Sequence, residues 1–197
     1  MRPANVYFTI TAVRAAGVTQ DSTILIAAEI SMGDQQTIVS EFPDNRLANF
    51  FKPKPAVDII PIVIHEYVHA QQKTEGKNLL GQCIYEGACD FITELVLNKQ
   101  LNQSYLIYGR KNEQQLKEQF KKEMYGEDFS NWLYNGTTTK TMGDLGYFMG
   151  YAICQACYHH AKDKQAAINQ IIRLNYADSE AVKKFLEESG YYKDGAL

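Results

Sequence analysis

The chain has 197 residues, of which 45% are hydrophobic and 22% are charged, and its formal net charge is −3 at pH 7. A chain of this size and composition buries a substantial core, as globular domains do. The slight negative charge and the absence of a basic stripe exclude nucleic acid as an expected partner. No apolar run approaches the roughly 20 residues needed to cross a membrane.

The N-terminal part of the chain predicts a small β layer. Residues 6–13 and 23–30 are rich in β-branched side chains and are joined by a stretch over 15–22. A shorter segment over 37–40 is a candidate third strand. The strand over 23–30 is a candidate sheet edge, to which an extended peptide could add a strand of its own. A core strand would show the same pattern.

The segments that follow predict helices. Residues 44–51 form a short helix that the prolines after it end. The next helix is expected to begin near Asp58, because Pro61 is tolerated only in a first turn. It should continue to Gly76, since glycine suits the left-handed position that follows a helix end.

This helix carries the motif HEYVH at positions 65–69. On a helix, His65 and His69 leave the same face and can bind one metal ion, while Glu66 lies within reach of a water molecule at that ion. The pattern is typical of zinc hydrolases. The alternative, a pair of surface or core histidines, requires a chance match in a chain with only four histidines.

A third metal ligand is required, because a catalytic zinc ion takes three protein ligands and leaves one position for water. A helical stretch over 83–96 follows after a short link, residues 77–81, which would let the two helices pack antiparallel. In this stretch Glu86 and Asp90 share a face. We expect Glu86 to bind the metal and Asp90 to accept the second ring N–H of a ligating histidine. Glu94 is an alternative ligand, although its position suits solvent or a salt bridge between helices better.

The rest of the chain predicts further helices and a turn-rich stretch over 135–139. These helices cover residues 103–124, 144–161, 164–175 and 178–188. No linker, repeat or low-complexity tract divides the chain. We therefore expect one α+β domain over 1–197 that is mostly helical, with a small N-terminal β-sheet and a metal site on two adjacent helices.

The cysteines predict neither disulfides nor a four-cysteine zinc site. Cys154 and Cys157 fall three residues apart in a predicted helix, where disulfide geometry is awkward. Cys83 and Cys89 also lie in apolar helical sequence, whereas a four-cysteine site uses tight loops. We expect free, buried thiols.

The metal motifs resemble those of a known group of enzymes. HEYVH at 65–69 and EGACD at 86–90 are similar to the gluzincin metallopeptidases, in which H-E-x-x-H is followed on the next helix by E-x-x-x-D. The chain also resembles predicted zinc-dependent proteases of unknown function that are related to gliding-motility lipoproteins of Gram-negative bacteria. This wider resemblance covers residues 6–10, 24–29, both metal motifs and residues 144–151. It implies a zincin-like hydrolase fold with zinc bound by His65, His69 and Glu86.

This ligand set predicts hydrolysis of peptide bonds by a zinc-activated water, with Glu66 as the general base. The oxyanion that forms needs a hydrogen-bond donor besides the metal. Tyr147 and Tyr151 are candidates, because they are four residues apart on a glycine-rich helix that can approach the metal helices closely. His159 and His160 are alternatives. Packing in a core or interface is the competing explanation for each tyrosine, in a chain that has 13.

The expected partner is a peptide or protein substrate. Three other interpretations stay open: a metal hydrolase that cleaves another amide or ester, a zinc-binding but catalytically idle component of an envelope assembly, and a helical protein that binds no metal. The resemblance implies export to the periplasm or cell envelope of a bacterium, with a cytoplasmic location as the alternative. Relatives of this kind often begin with an export signal, which the start of this chain does not show. The resemblance therefore implies a trimmed mature fragment or an expressed piece of a longer protein.

Overall fold

The structure is a computed structural model that describes residues 1–13, 15–41, 51, 59–136, 138–139 and 141–193. These residues form three strands and seven helices. The fold class is therefore α+β, mostly helical with a small N-terminal sheet, as the sequence predicted. The chain divides into two compact units, residues 1–70 and residues 71–197. The expectation of one domain over 1–197 stays a prediction.

A three-stranded sheet belongs to the first unit. Its strands are β1 (Asn5–Thr9), β2 (Gly17–Gln20) and β3 (Thr23–Ala27), in the order β1-β3-β2. β1 is parallel to β3 and β2 is antiparallel to it, so that Ile24 of β3 lies opposite both Val6 and Thr19. Ile24 and Ile26 are fully buried. Of the two interpretations of this strand, the sheet edge is wrong and the core strand is correct, because β1 pairs with one side of it and β2 with the other.

The first strand is shorter than predicted. It ends at Thr9, and Ala12 and Val13 adopt positive φ angles of 54° and 61°, which extended strands do not contain. The carboxylate of Glu29 stabilises this bend, since its Oε1 atom accepts hydrogen bonds from the backbone N–H groups of Thr11 at 2.7 Å and of Val13 at 3.0 Å.

Other elements of the first unit also differ from the prediction. β2 lies inside the expected link over 15–22, because a strand of four residues is too short for its periodicity to be recognised. β3 ends at Ala27, and the chain continues into helix α1 (Ala28–Ser31). Residues 37–40 do not form a strand. The helix predicted over 44–51 lies outside the described residues, apart from Phe51.

Helix α2 (Ile60–His69) packs against β2 and β3. Pro61 lies in its first turn, as predicted, where a missing N–H group costs no hydrogen bond within the helix. The prediction that this helix extends to Gly76 is wrong, because it ends at His69. Gly76 has no positive φ angle, and a Cβ atom on it would collide with the backbone of Gln82. A close approach of backbones, rather than a left-handed helix end, requires glycine there.

The described residues of the second unit form a helical bundle. Its helices are α3 (Leu79–Leu97), α4 (Ser104–Glu123), α5 (Leu145–His160), α6 (Lys164–Arg173) and α7 (Ser179–Ser189). The last four agree with the prediction to within two residues at each end. α3 begins earlier than predicted, because the side chain of Asn78 accepts a hydrogen bond from the backbone N–H of Gly81 at 2.8 Å and caps the first turn. None of the described helices has the length and apolar character needed to span a membrane.

α3 and α5 pack at unusually close range. A Cβ atom on Gly150 would collide with the carbonyl group of Cys83, and one on Gly87 would collide with the backbone of α5. The close approach buries Ile84 and Phe148 almost completely. The expectation that the glycine-rich helix comes close to the metal helices is confirmed for α3.

The cysteines are free and buried, as predicted. They are Cys83, Cys89, Cys154 and Cys157. Burial raises the pKa of the Cys83 thiol and that of the Cys154 thiol well above the ordinary value for cysteine. These thiols therefore stay protonated and pack as small apolar groups.

Candidate metal-binding site

His65 and His69 lie one turn apart on the same face of α2. Their ring centroids are 4.9 Å apart, and the ring planes make an angle of 73°. Both residues are half-buried, so part of each side chain stays accessible. The spacing of four residues thus brings together two imidazoles, which are common ligands of zinc.

Glu66 is buried against β2. The hydroxyl oxygen of Thr19 lies 2.7 Å from the Glu66 Oε2 atom and 2.8 Å from the Glu66 backbone oxygen. A Cβ atom on Gly17 would lie 2.7 Å from the Glu66 Oε1 atom, so only glycine leaves room for this carboxylate. Two residues of one strand, both on the face toward α2, therefore fix the position of the proposed general base.

Glu86 lies on α3 and is 7% exposed. The phenol of Tyr134 donates a hydrogen bond to its Oε1 atom at 2.8 Å. Gln82, one turn earlier on α3, donates from Nε2 to the same phenol oxygen at 2.7 Å. Burial, followed by the charge of Glu86, raises the pKa of Tyr134 above its ordinary value, so the phenol stays protonated and remains a donor.

Asp90 lies one turn after Glu86 and is 2% exposed. The phenol of Tyr105 on α4 donates to its Oδ2 atom at 2.9 Å. Burial and then the charge of Asp90 raise the pKa of Tyr105 well above its ordinary value. The candidate positioning carboxylate is therefore itself held by a neutral phenol.

Tyr147 belongs to the same cluster of aromatic side chains. Its ring centroid lies 5.4 Å from that of Tyr105 and 6.4 Å from that of Tyr134. Burial, and next the charge of Glu86, raises the pKa of Tyr147. The structure thus places Tyr147 with the carboxylates of α3, together with two phenols that sequence reasoning did not select.

Tyr151 lies in a different hydrogen-bonded group. Its phenol donates to Glu94 Oε1 at 2.6 Å, and Gln155 donates to the phenol oxygen at 2.9 Å. Glu94 also forms an ion pair of 2.8 Å with Arg110 on α4. Burial raises the pKa of Tyr151 to about 12. Glu94 therefore makes a salt bridge between helices, the role that the sequence favoured for it over metal binding.

The alternative histidines are both exposed and lie at the end of α5. The Nδ1 atom of His160 lies 2.7 Å from the backbone oxygen of Ser189, at the end of α7. This contact joins the ends of two helices. It gives His160 a structural role and offers no support for His159 or His160 as an oxyanion donor.

Sequence reasoning missed three residues that contact the side chains it had selected, namely Thr19 at Glu66, Tyr105 at Asp90 and Tyr134 at Glu86. Thr19 lies on a strand that was expected to be a link, and only its alternation with Gly17 marks a common face. Tyr105 lies in the first turn of α4, whose register against α3 depends on tertiary packing. Tyr134 stands alone between helices, and no local pattern identifies it.

Comparison with known proteins identifies a family. The family model described as "Gliding motility protein GldB" matches residues 1–193. No curated protein and no solved structure matches the chain. The resemblance to gliding-motility proteins is confirmed, whereas the gluzincin assignment stays a prediction. Because the match covers almost all of its 197 residues, the chain belongs to the GldB family of gliding motility proteins.

Proposed function

We propose that this chain is a zinc-dependent peptidase, with His65, His69 and Glu86 as metal ligands and Glu66 as the general base. The observation that carries the proposal is the arrangement on α2, where two imidazole rings 4.9 Å apart lie beside a carboxylate that is only 7% exposed. A carboxylate next to two histidines on one helix suits hydrolysis by a metal-activated water.

The residue types fit a zinc ion. Two imidazoles and one carboxylate are a donor set of catalytic zinc sites, and a buried carboxylate such as Glu86 is stabilised by a nearby cation. Cys89, a buried free thiol on α3, is the competing third ligand, because thiolates also bind zinc. When bound, zinc would polarise a carbonyl group and make a water molecule nucleophilic near neutral pH.

The protein side chains then move protons and hold one another in place. Glu66 takes a proton from the water as the water oxygen bonds to the carbonyl carbon, and it passes that proton to the amide nitrogen as the C–N bond breaks. Thr19 holds the Glu66 carboxylate at 2.7 Å. In this proposal Asp90 accepts the second ring N–H of a ligating histidine, and Tyr105 keeps Asp90 oriented.

The contacts favour Tyr147 over Tyr151 as the oxyanion donor. Tyr151 lies in a group with Glu94 and Arg110, where its phenol donates to Glu94 at 2.6 Å. Tyr147 instead lies among the tyrosines beside Glu86. A donor close to a metal ligand is better placed for an oxyanion that forms at the metal.

An extended peptide is the substrate that the sheet suits best. β2 is an end strand among the described strands. In an antiparallel pair, successive residues direct their backbone groups alternately toward the partner and away from it. Ala27 N donates to Ala16 O at 3.0 Å, so the backbone groups of Gly17 and Thr19 point to the outer edge. A peptide pairing with this edge would lie beside the two residues that touch Glu66.

A second candidate function is a zinc-binding but catalytically idle component of the cell envelope. The abbreviated label of the family, GldB_lipo, marks it as a lipoprotein family. Lipoproteins are associated with the cell envelope. We propose that this chain works there. A metal hydrolase acting on another amide or an ester would use the same ligands, and it differs only in substrate.

Hydrolysis of a quenched fluorescent peptide library tests the proposal. We expect cleavage by the wild-type chain and loss of cleavage in Glu66→Gln, at unchanged zinc content. Glu75→Gln is the control, since Glu75 is exposed. Zinc binding without cleavage by the wild type would favour the idle alternative, and cleavage that persists in Glu66→Gln would contradict the assignment of the general base.

A further inference from the structure

We propose that Tyr134 is a positioning residue that orients Glu86 and thereby sets the metal affinity of the site. This inference rests on the proposed function, since it takes Glu86 as a metal ligand. Its starting point is the hydrogen bond of 2.8 Å from the phenol of Tyr134 to Glu86 Oε1. Tyr134 is 58% exposed, yet its hydroxyl reaches a carboxylate that is 7% exposed.

The direction of this bond is fixed by Gln82. The backbone N–H of Gly76 donates to Gln82 Oε1 at 2.8 Å, which leaves Nε2 of Gln82 to donate to the phenol oxygen of Tyr134 at 2.7 Å. A phenol oxygen that accepts this bond keeps its own hydrogen for Glu86. The three bonds form a relay from the backbone to the carboxylate, and each bond polarises the next.

The backbone conformation of Tyr134 is unusual, and hydrogen bonds hold the loop that follows it. Its φ angle is +58°, which is uncommon for a bulky aromatic residue. Asn135 and Asp144 close the loop that follows: Asn135 N donates to Asp144 Oδ1 at 3.0 Å, and Asp144 N donates to Asn135 Oδ1 at 2.7 Å. A Cβ atom on Gly136 would collide with the Asp144 carboxylate. Strained backbone of this kind persists where surrounding contacts determine it, and such positions cluster at functional sites.

The consequence is a preset orientation for the Glu86 carboxylate. A carboxylate ligand that is held by a donor does not have to be ordered when the metal binds. Loss of a hydrogen-bond partner behind a metal ligand typically lowers metal affinity by about 10- to 100-fold. Tyr134 therefore contributes to the metal site through Glu86, without touching the metal.

The test compares zinc affinity, by competition with a chromophoric chelator, in the wild type, Glu86→Ala and Tyr134→Phe. Tyr134→Phe should bind zinc about 10- to 100-fold more weakly than the wild type. Tyr125→Phe is the matched control, since Tyr125 is 53% exposed, and its affinity should be unchanged. Gln82→Met, which removes the earlier link of the relay, should weaken binding in the same direction.

Two further measurements separate positioning from a general structural role. The thermal unfolding of metal-free Tyr134→Phe should match that of the wild type, while the visible absorption bands of the cobalt-loaded variant should change because Glu86 is oriented differently. Zinc affinity of Tyr134→Phe equal to wild type, with binding lost in Glu86→Ala, would overturn this inference alone. A wild-type chain that binds no zinc, or one whose affinity does not depend on Glu86, would overturn it together with the proposed ligand set.

Discussion

The hydroxyl oxygen of Thr19 lies 2.7 Å from the Oε2 atom of Glu66. A strand of the small sheet therefore holds the carboxylate that follows the first histidine of the HEYVH motif. Thr19 is 47 residues before Glu66 in the chain, so the contact exists only because α2 packs against β2. The sheet thus contributes a side chain that contacts the candidate general base.

Replacement of this threonine should impair turnover without impairing metal binding. In Thr19→Val the shape is kept but the donor is lost, so the Glu66 carboxylate is held less firmly. We expect kcat to fall by roughly 10- to 100-fold, as for a misplaced catalytic group, at unchanged zinc content. Peptide hydrolysis and elemental analysis of the same preparations measure both, and Thr19→Ser should retain activity. A Thr19→Val chain as active as wild type would contradict this role.

Gly17→Ala should destabilise the first unit. The new Cβ atom would lie 2.7 Å from the Glu66 carboxylate, a distance that forces a shift. Overpacking of this kind costs about 1–3 kcal/mol, measurable by urea unfolding. In a Glu66→Ala background the collision is absent, so the same substitution should cost much less. Equal costs in the two backgrounds would show that the Glu66 side chain is not the obstacle.

Gly150→Ala should loosen the packing of α3 on α5. Its Cβ atom would collide with the carbonyl group of Cys83, which is backbone and cannot swing aside. We expect a loss of about 3 kcal/mol in the free energy of unfolding, at the upper end of overpacking costs. Gly126→Ala is the control, because the nearest atom to its Cβ is Glu123 O at 3.2 Å. Similar stabilities for the two variants would argue against the close contact.

Glu29 should make stability depend on pH in the acid range. Its pKa is lowered from 4.5 to about 2, chiefly because the Val13 N–H donates to the carboxylate. The folded chain thus keeps this group charged at pH values where the unfolded chain protonates it. The stabilisation is complete above 4.5 and is lost as the pH falls toward 2. Urea midpoints across this range should fall less steeply in Glu29→Gln than in wild type, and identical slopes would contradict the prediction.

The elements that the sequence predicts correctly are those whose determining residues lie within the element itself. The helices α4 to α7 could be predicted because a helical pattern is a property of the segment itself. The side chains of Asp163 and Asp178, which cap α6 and α7, are also local features. The pairing of His65 with His69 follows from helical spacing alone. α3 was also recognised, although its first turn was missed because Asn78 was not identified as its cap.

Long-range contacts were not predictable in the same way. The order of the strands depends on pairing between β1 and β3, which no local pattern specifies. Thr19 and Tyr134 acquire their roles from partners 47 and 48 residues away. Gly76 was assigned a left-handed conformation from its position after a helix, whereas the contact with Gln82 explains it.

Metal content per chain, measured by elemental analysis of the purified protein, tests the central claim most directly. We predict about one zinc ion per wild-type chain, and loss of zinc in His65→Ala, His69→Ala and Glu86→Ala. Cys89→Ser should retain zinc if Glu86 is the third ligand. A wild-type chain that contains no metal and takes up none from added zinc would contradict the account.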